Sequence, residues 1–233
     1  MSKLAGYRRP HPGTQPDYDY PPYVSSAKRH PTQPLVLPPQ TLSELTGPLF
    51  GHHEVKPTDN DLTRQHKGKP IGERIIVSGR VLDENGKAVP HTLIEIWQAN
   101  AAGRYPHPTD QHNAPLDPNF SGAGRTLTDA KGRYRFVTIR PGEYPWRNHY
   151  NAWRPAHIHF SLFGPTIATR LITQLFFPGD PLLALDPIFT SVPATARNRL
   201  VANFDIGVTE SGFALGYQFD IVLRGRAETP MEA

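Results

Sequence analysis

Two imidazoles separated by a single residue are the sharpest chemical feature of the chain, in Ala156-His157-Ile158-His159-Phe160. On an extended strand, side chains two apart share a face and stand about 6.6 Å apart. His157 and His159 can therefore turn toward one metal ion while Ile158 and Phe160 enter a core. The same pattern also suits two partly buried histidines on a polar face, so the choice depends on what other donors exist. The chain contains no cysteine, which removes disulfides, thiolate nucleophiles, Fe–S clusters and thiolate zinc sites. Ser161-Leu162-Phe163-Gly164 offers no carboxylate, and no histidine follows His159. A cupin-like iron(II) site of two histidines and a carboxylate thus lacks its donors. The remaining oxygen donors are Tyr105, in Gly103-Arg104-Tyr105, and Tyr144, in Pro141-Gly142-Glu143-Tyr144-Pro145-Trp146. Each alone reads as a packing aromatic with a paired hydroxyl. Together with the histidines they form a hard, anionic set. Two phenolates and one hydroxide carry three negative charges, which balances Fe(III) better than Zn(II) or Fe(II). His52, His53, His107 and His112 fall at irregular spacing in loop-like sequence and read as surface residues.

These residues need strands and loops to position them. Residues 74–82 alternate and are rich in β-branched side chains; Asp83-Glu84-Asn85-Gly86 forms a turn, and 92–98 is the next strand. Residues 125–128, a turn at 129–132, and 134–139 repeat the pattern. Strands at 156–163, 170–177 and 217–224 complete the series, with one amphipathic helix expected at 194–204 behind Pro193. Many short strands with almost no helix imply an all-β fold, an antiparallel β-sandwich with few short helices. The irregular stretches 99–124, 140–155 and 178–192 then become its long active-site loops. Ahead of the sandwich, ten prolines within residues 1–48 forbid a sustained helix or central strand. Tyr7, Tyr18, Tyr20 and Tyr23 mark this segment as an extended arm lying on a surface rather than a disordered tail. A short helical turn is expected at 41–46 and loop at 51–72. The chain accordingly divides into arm and loops (1–72), making subunit contacts, and a sandwich domain (73–233).

Composition narrows the partners. In 233 residues, 25 Lys+Arg against 21 Asp+Glu leave a net charge of +4. The basic residues are scattered, with no run of five, so no nucleic-acid partner is expected. No apolar run approaches the roughly 20 residues of a bilayer span, and the first residues lack a signal-peptide core. The expected protein has no membrane contact and is cytoplasmic. With 26 Pro and 19 Gly, turns and short strands are favoured over long helices.

Three segments carry a family likeness. The first runs Val77-Ser78-Gly79-Arg80-Val81, then Gly86, Val89 and Ile94-Glu95-Ile96, to Gly103-Arg104-Tyr105. The second is Tyr144-Pro145-Trp146-Arg147-Asn148, and the third Trp153-Arg154-Pro155-Ala156-His157-Ile158-His159. In these the chain resembles the intradiol ring-cleavage dioxygenases. Asp117-Pro118-Asn119-Phe120, Gln174 and Phe219-Asp220-Ile221-Val222-Leu223-Arg224-Gly225 extend the likeness toward one branch. That branch pairs an iron-bearing β subunit with a homologous α subunit and acts on protocatechuate (3,4-dihydroxybenzoate).

The resemblance implies one non-haem Fe(III) per chain, held by Tyr105, Tyr144, His157 and His159 with a solvent hydroxide. It implies cleavage of the substrate by O₂ between its hydroxyls, to 3-carboxy-cis,cis-muconate, as a step of aromatic catabolism. Tyr144 would leave the metal and take a substrate proton. Arg154 would stabilise charge on the bound substrate, with Gln174 in the same role. Tyr23, Trp146 and Ile188 would line the substrate pocket, and the α subunit would complete it within a larger hetero-oligomer. A catechol or hydroxyquinol 1,2-dioxygenase is the alternative enzyme; its helical N-terminal region is unlike this Pro-rich arm. A non-catalytic β-sandwich binding module is the other alternative, which the presence of all four donors disfavours.

Overall fold

In the computed structural model, residues 8–39, 41, 51–146, 152–164 and 170–232 are described. The alternating stretch at 74–82 forms β1 (Arg74–Leu82), which puts Ile75, Val77 and Val81 into the main core. Its neighbour Ile76 faces the other way, against Val137 and Ala214. The next strands are β2 (Leu93–Trp97), β3 (Ala123–Leu127) and β4 (Arg133–Ile139), followed by a short hairpin of β5 (Tyr144–Trp146) and β6 (Ala152–Arg154). After these come β7 (His157–Phe163), β8 (Arg170–Phe176), β9 (Asn203–Phe204), β10 (Leu215–Gln218) and β11 (Ile221–Val222). The described helices are α1 (Ser26–Arg29) and α2 (Pro187–Ser191), besides short 3₁₀ turns. None is long and apolar enough to cross a membrane among the described residues.

Apart from the two-stranded β5–β6 hairpin, the described strands form two sheets. One has the order β3-β2-β7-β8 and is antiparallel throughout. The other is built on β1, which pairs antiparallel with β4 from Arg74↔Ile139 to Arg80↔Arg133. Aromatic contacts such as Phe136–Phe160 (ring centroids 6.3 Å apart) and Phe160–Phe219 (5.4 Å) join the facing surfaces of the two sheets. The all-β sandwich is therefore present.

Four expectations need correction. On its other edge β1 runs parallel to β10 and then to β11, so this sheet is mixed rather than antiparallel. The strand expected at 217–224 is broken in two, because at Asp220 the carboxylate replaces the backbone acceptor and takes the Arg80 N–H at 2.9 Å. Gly79 makes the crossing possible: a Cβ there would lie 2.0 Å from the Phe219 carbonyl oxygen. The helix expected at 194–204 is only a 3₁₀ turn, Arg197–Leu200, followed by β9. There the Ala202 N–H bonds the Phe176 carbonyl at 2.9 Å, and Ala196 and Leu200 pack on Phe176 and Phe189. Attachment to the end of β8 thus holds the chain extended where local propensity favoured helix. The loops at 140–155 and 178–192 contain the β5–β6 hairpin and α2. Residues 42–46 of the expected turn at 41–46 lie outside the described residues.

Candidate metal centre

β7 lies between β2 and β8, and its alternation is the one expected. Ile158, Phe160 and Leu162 enter the core, and His157 and His159 project from the opposite face. Trp97, paired with His159 across the strands, stacks on it at 4.6 Å with the rings 3° from parallel.

Tyr105 and Tyr144 reach this face on two loops that touch backbone to backbone. Gly103 has φ +73°, and a Cβ there would lie 2.0 Å from the Glu143 carbonyl oxygen, so only glycine fits. The Gly142 N–H donates to the Asn100 carbonyl at 2.9 Å, locking the loops together. Asp110 accepts the Tyr105 N–H at 2.8 Å, and Arg104 donates to the carbonyls of Asp110, His112 and Ala114.

The donor atoms converge. His157 Nε2 and His159 Nε2 are 3.2 Å apart, and the Tyr144 hydroxyl oxygen is 3.4 Å from His157 Nε2. The Tyr105 ring meets Tyr144 edge-on at 5.5 Å. Proton accounting decides what this means. His157 Nδ1–H donates to the Pro155 carbonyl at 2.7 Å, and His159 Nδ1–H to the Glu232 carboxylate at 3.0 Å. Both Nδ1 atoms are thus engaged on the far side, and the two Nε2 atoms face each other, with Arg154 Nη1 at 3.3 Å and the Tyr144 hydroxyl at 3.4 Å from His157 Nε2, an arrangement suited to sharing a cation. The Tyr105 hydroxyl is buried with no hydrogen-bond partner, which is costly for a phenol alone and natural for a ligand. Among the described residues no three His, Asp or Glu side chains gather as a metal group, so a cation here needs the phenols.

The electrostatics agree. Burial pushes both phenols up, Tyr105 well above the ordinary range and Tyr144 less, because Arg154 opposes the shift. Burial, then the Arg154 charge, holds His157 well below its usual value, hence neutral. Both phenols thus hold their protons more tightly than a free tyrosine, and His157 is neutral, so a cation here must displace the phenol protons. At Glu232 burial works against the charge, but the His159 hydrogen bond, the His159 and Arg154 charges and a Gln174 hydrogen bond together hold the carboxyl below its usual range.

Arg154, on β6, is 3% exposed. Its Nη2 donates to Asp186 Oδ2 at 2.8 Å and Gln174 Oε1 at 2.6 Å, and its Nη1 stands 3.3 Å from His157 Nε2. Its guanidinium lies 5.5 Å from the Trp146 ring, which in turn meets the buried Tyr23 ring at 5.4 Å. Ile188 is buried on α2, its N–H capped by Asp186 Oδ1 at 3.1 Å. The structure thus gathers Tyr105, Tyr144, His157, His159, Arg154 and Gln174, with Tyr23 and Trp146 beside Arg154. Ile188 joins through Asp186.

Sequence reasoning missed Asp186 and Glu232. Asp186-Pro187 carries a helix-start signal; nothing local in the sequence marks Glu232. The surface reading holds for His53 and His107 but not for the half-buried His52 and His112, since His112 Nδ1 bonds the Gly103 carbonyl at 3.0 Å.

A family model described as "Dioxygenase" matches residues 45–225, and one described as "Protocatechuate 3,4-dioxygenase beta subunit N terminal" matches residues 7–41. The chain is 60% identical over 221 residues to the protocatechuate 3,4-dioxygenase beta chain of Burkholderia cepacia, covering 94% of each. It is 32% identical over 207 residues to the protocatechuate 3,4-dioxygenase alpha chain of Pseudomonas putida, covering 84% of this chain and 97% of that protein. Among solved structures, 3-chlorocatechol 1,2-dioxygenase from Rhodococcus opacus 1CP superposes with a TM-score of 0.54 at 24% identity, over 72% of this chain and 65% of that one. This last likeness concerns the fold.

Proposed function

The chain belongs to the intradiol ring-cleavage dioxygenase family, and from that membership we propose that it is the catalytic β subunit of an enzyme that cleaves protocatechuate with O₂ between the two hydroxyls. The product is 3-carboxy-cis,cis-muconate. The catechol and hydroxyquinol readings find less support, since the match to the beta-chain N-terminal model spans the Pro-rich arm.

The metal is Fe(III), with Tyr105, Tyr144, His157 and His159 as its protein ligands. The observation that carries this reading is the pair of imidazole Nε2 atoms turned toward each other 3.2 Å apart, with the Tyr144 oxygen 3.4 Å from one of them. When bound, Fe(III) supplies a chelating centre for both catechol oxygens and makes the ring reactive toward O₂. The protein supplies the rest. Tyr144 is a base positioned to accept one hydroxyl proton as substrate enters. Arg154 faces the same space and stabilises negative charge developing on the ring, an effect worth roughly 3–4 kcal/mol for a single well-placed donor. Gln174 and Asp186 hold that guanidinium in place. Tyr23, Trp146 and Ile188 line the pocket, and its carboxylate-binding side is completed by a homologous α subunit, the kind of chain that the beta-chain relative's name implies it assembles with.

Electron paramagnetic resonance of the purified protein, before and after anaerobic addition of protocatechuate, tests this directly. A high-spin ferric signal that changes on addition, from a visibly coloured protein, is expected. Colourless protein holding stoichiometric zinc overturns the assignment.

A further inference from the structure

Glu232 is 73 residues from His159 in sequence, yet its carboxylate meets His159 Nδ1 at 3.0 Å. The segment that delivers it is stitched along β8 and β11. The Glu232 N–H donates to the Ile172 carbonyl at 2.8 Å, the Thr173 hydroxyl to the Pro230 carbonyl at 2.7 Å, and the Thr229 N–H to the Val222 carbonyl at 2.8 Å.

The N-terminal arm clamps the same segment from outside. Glu228 is 4% exposed, and its Oε1 accepts from the His11 N–H at 3.0 Å and from the Thr14 hydroxyl. Gln15 Oε1 accepts the Met231 N–H at 2.6 Å. The Glu232 side chain is 23% exposed, and its carboxylate meets the His159 imidazole first, with Arg154 and Gln174 as its further polar neighbours.

The two histidines are consequently unequal. His157 donates to a neutral carbonyl and His159 to a carboxylate. A carboxylate on the far nitrogen fixes the tautomer, holds the ring plane and raises the basicity of the ligating nitrogen. We infer that Glu232 is a positioning residue for His159, and that residues 11–15 of the arm keep it in register by gripping segment 228–232. This inference rests on His159 being an iron ligand.

The experiment compares the full-length iron-loaded chain with Glu232→Gln, Thr14→Val and His159→Ala. It measures the rate at which a chelator strips iron, the position of the tyrosinate-to-iron absorption band, and the melting temperature of the iron-free protein. Glu232→Gln is expected to lose iron about 10–100-fold faster and to shift the band, while its iron-free form melts with the parent. Thr14→Val should accelerate loss in the same direction by a smaller factor. Unchanged stripping and an unchanged band in Glu232→Gln, with iron lost from His159→Ala, overturn the positioning role alone. Iron retained in His159→Ala overturns the ligand set and the positioning role together.

Discussion

His157 and His159 share a face because a strand repeats every two residues, but their Nε2 atoms meet because each Nδ1 is hydrogen-bonded on the far side. This distinction sets the residue-scale expectations. Tyr105→Phe and His159→Ala should each abolish colour and iron content while the far-ultraviolet circular dichroism stays that of the parent; bound iron in both variants would falsify the ligand set. Asp186→Asn tests the buried ion pair. Asparagine still caps α2, but the guanidinium loses a counter-charge in a site where Asp186 is fully buried. Removing one partner of such a pair costs about 3–5 kcal/mol. A lower melting temperature and a fall in kcat of more than about tenfold are expected, measured by thermal melts and steady-state kinetics. The histidine pair was legible from spacing alone. Asp186 and Glu232 were not, since their partners lie 32 and 73 residues away and pairing over such distances is a property of the fold.

At the scale of elements, the phenols depend on how closely two loops pack. Gly103→Ala would force a methyl group into the Glu143 carbonyl and separate Tyr105 from Tyr144. A loss of roughly 1–3 kcal/mol in stability, with reduced iron content, is expected from chemical denaturation and metal analysis. Tyr134 ties β4 to the break between β10 and β11 by donating its hydroxyl to the Phe219 carbonyl. Burial, reinforced by Asp220, raises this phenol well above the ordinary tyrosine range. The folded state therefore keeps a proton that the unfolded chain releases near pH 10, so this contribution is intact below that pH and declines as pH rises through the folded value. Tyr134→Phe should cost about 1–2 kcal/mol near neutrality and make the loss of melting temperature above pH 10 shallower. A melt series across alkaline pH checks both. The strand β1 was read at its observed limits because its β-branched residues Ile75, Ile76, Val77 and Val81 run directly into the turn at Asp83-Glu84-Asn85-Gly86. The β5–β6 hairpin was missed because each strand has three residues and Pro145 interrupts the pattern.

For the whole molecule, the proposed ligand set predicts that iron binding and folding are coupled. An unfolded chain would not assemble four donors drawn from Tyr105 to His159, so metal binding should add to stability by mass action. At a free iron level about 1,000 times the dissociation constant this amounts to roughly 4 kcal/mol, or about 10 °C for a chain of this size. Chelated protein should melt lower by that order and recover on adding ferric iron, as calorimetry would record. The sequence by itself determined the all-β class and the longer strands of the sandwich, and it supplied the candidate donors, because periodicity, turn residues and ligand chemistry are local properties. Only the tertiary structure decided that β1 has parallel neighbours, that 194–204 is not a helix, and that Asp186 and Glu232 serve the site. Those outcomes depend on which distant backbone and side-chain groups satisfy one another once the chain is closed, and no local pattern encodes that.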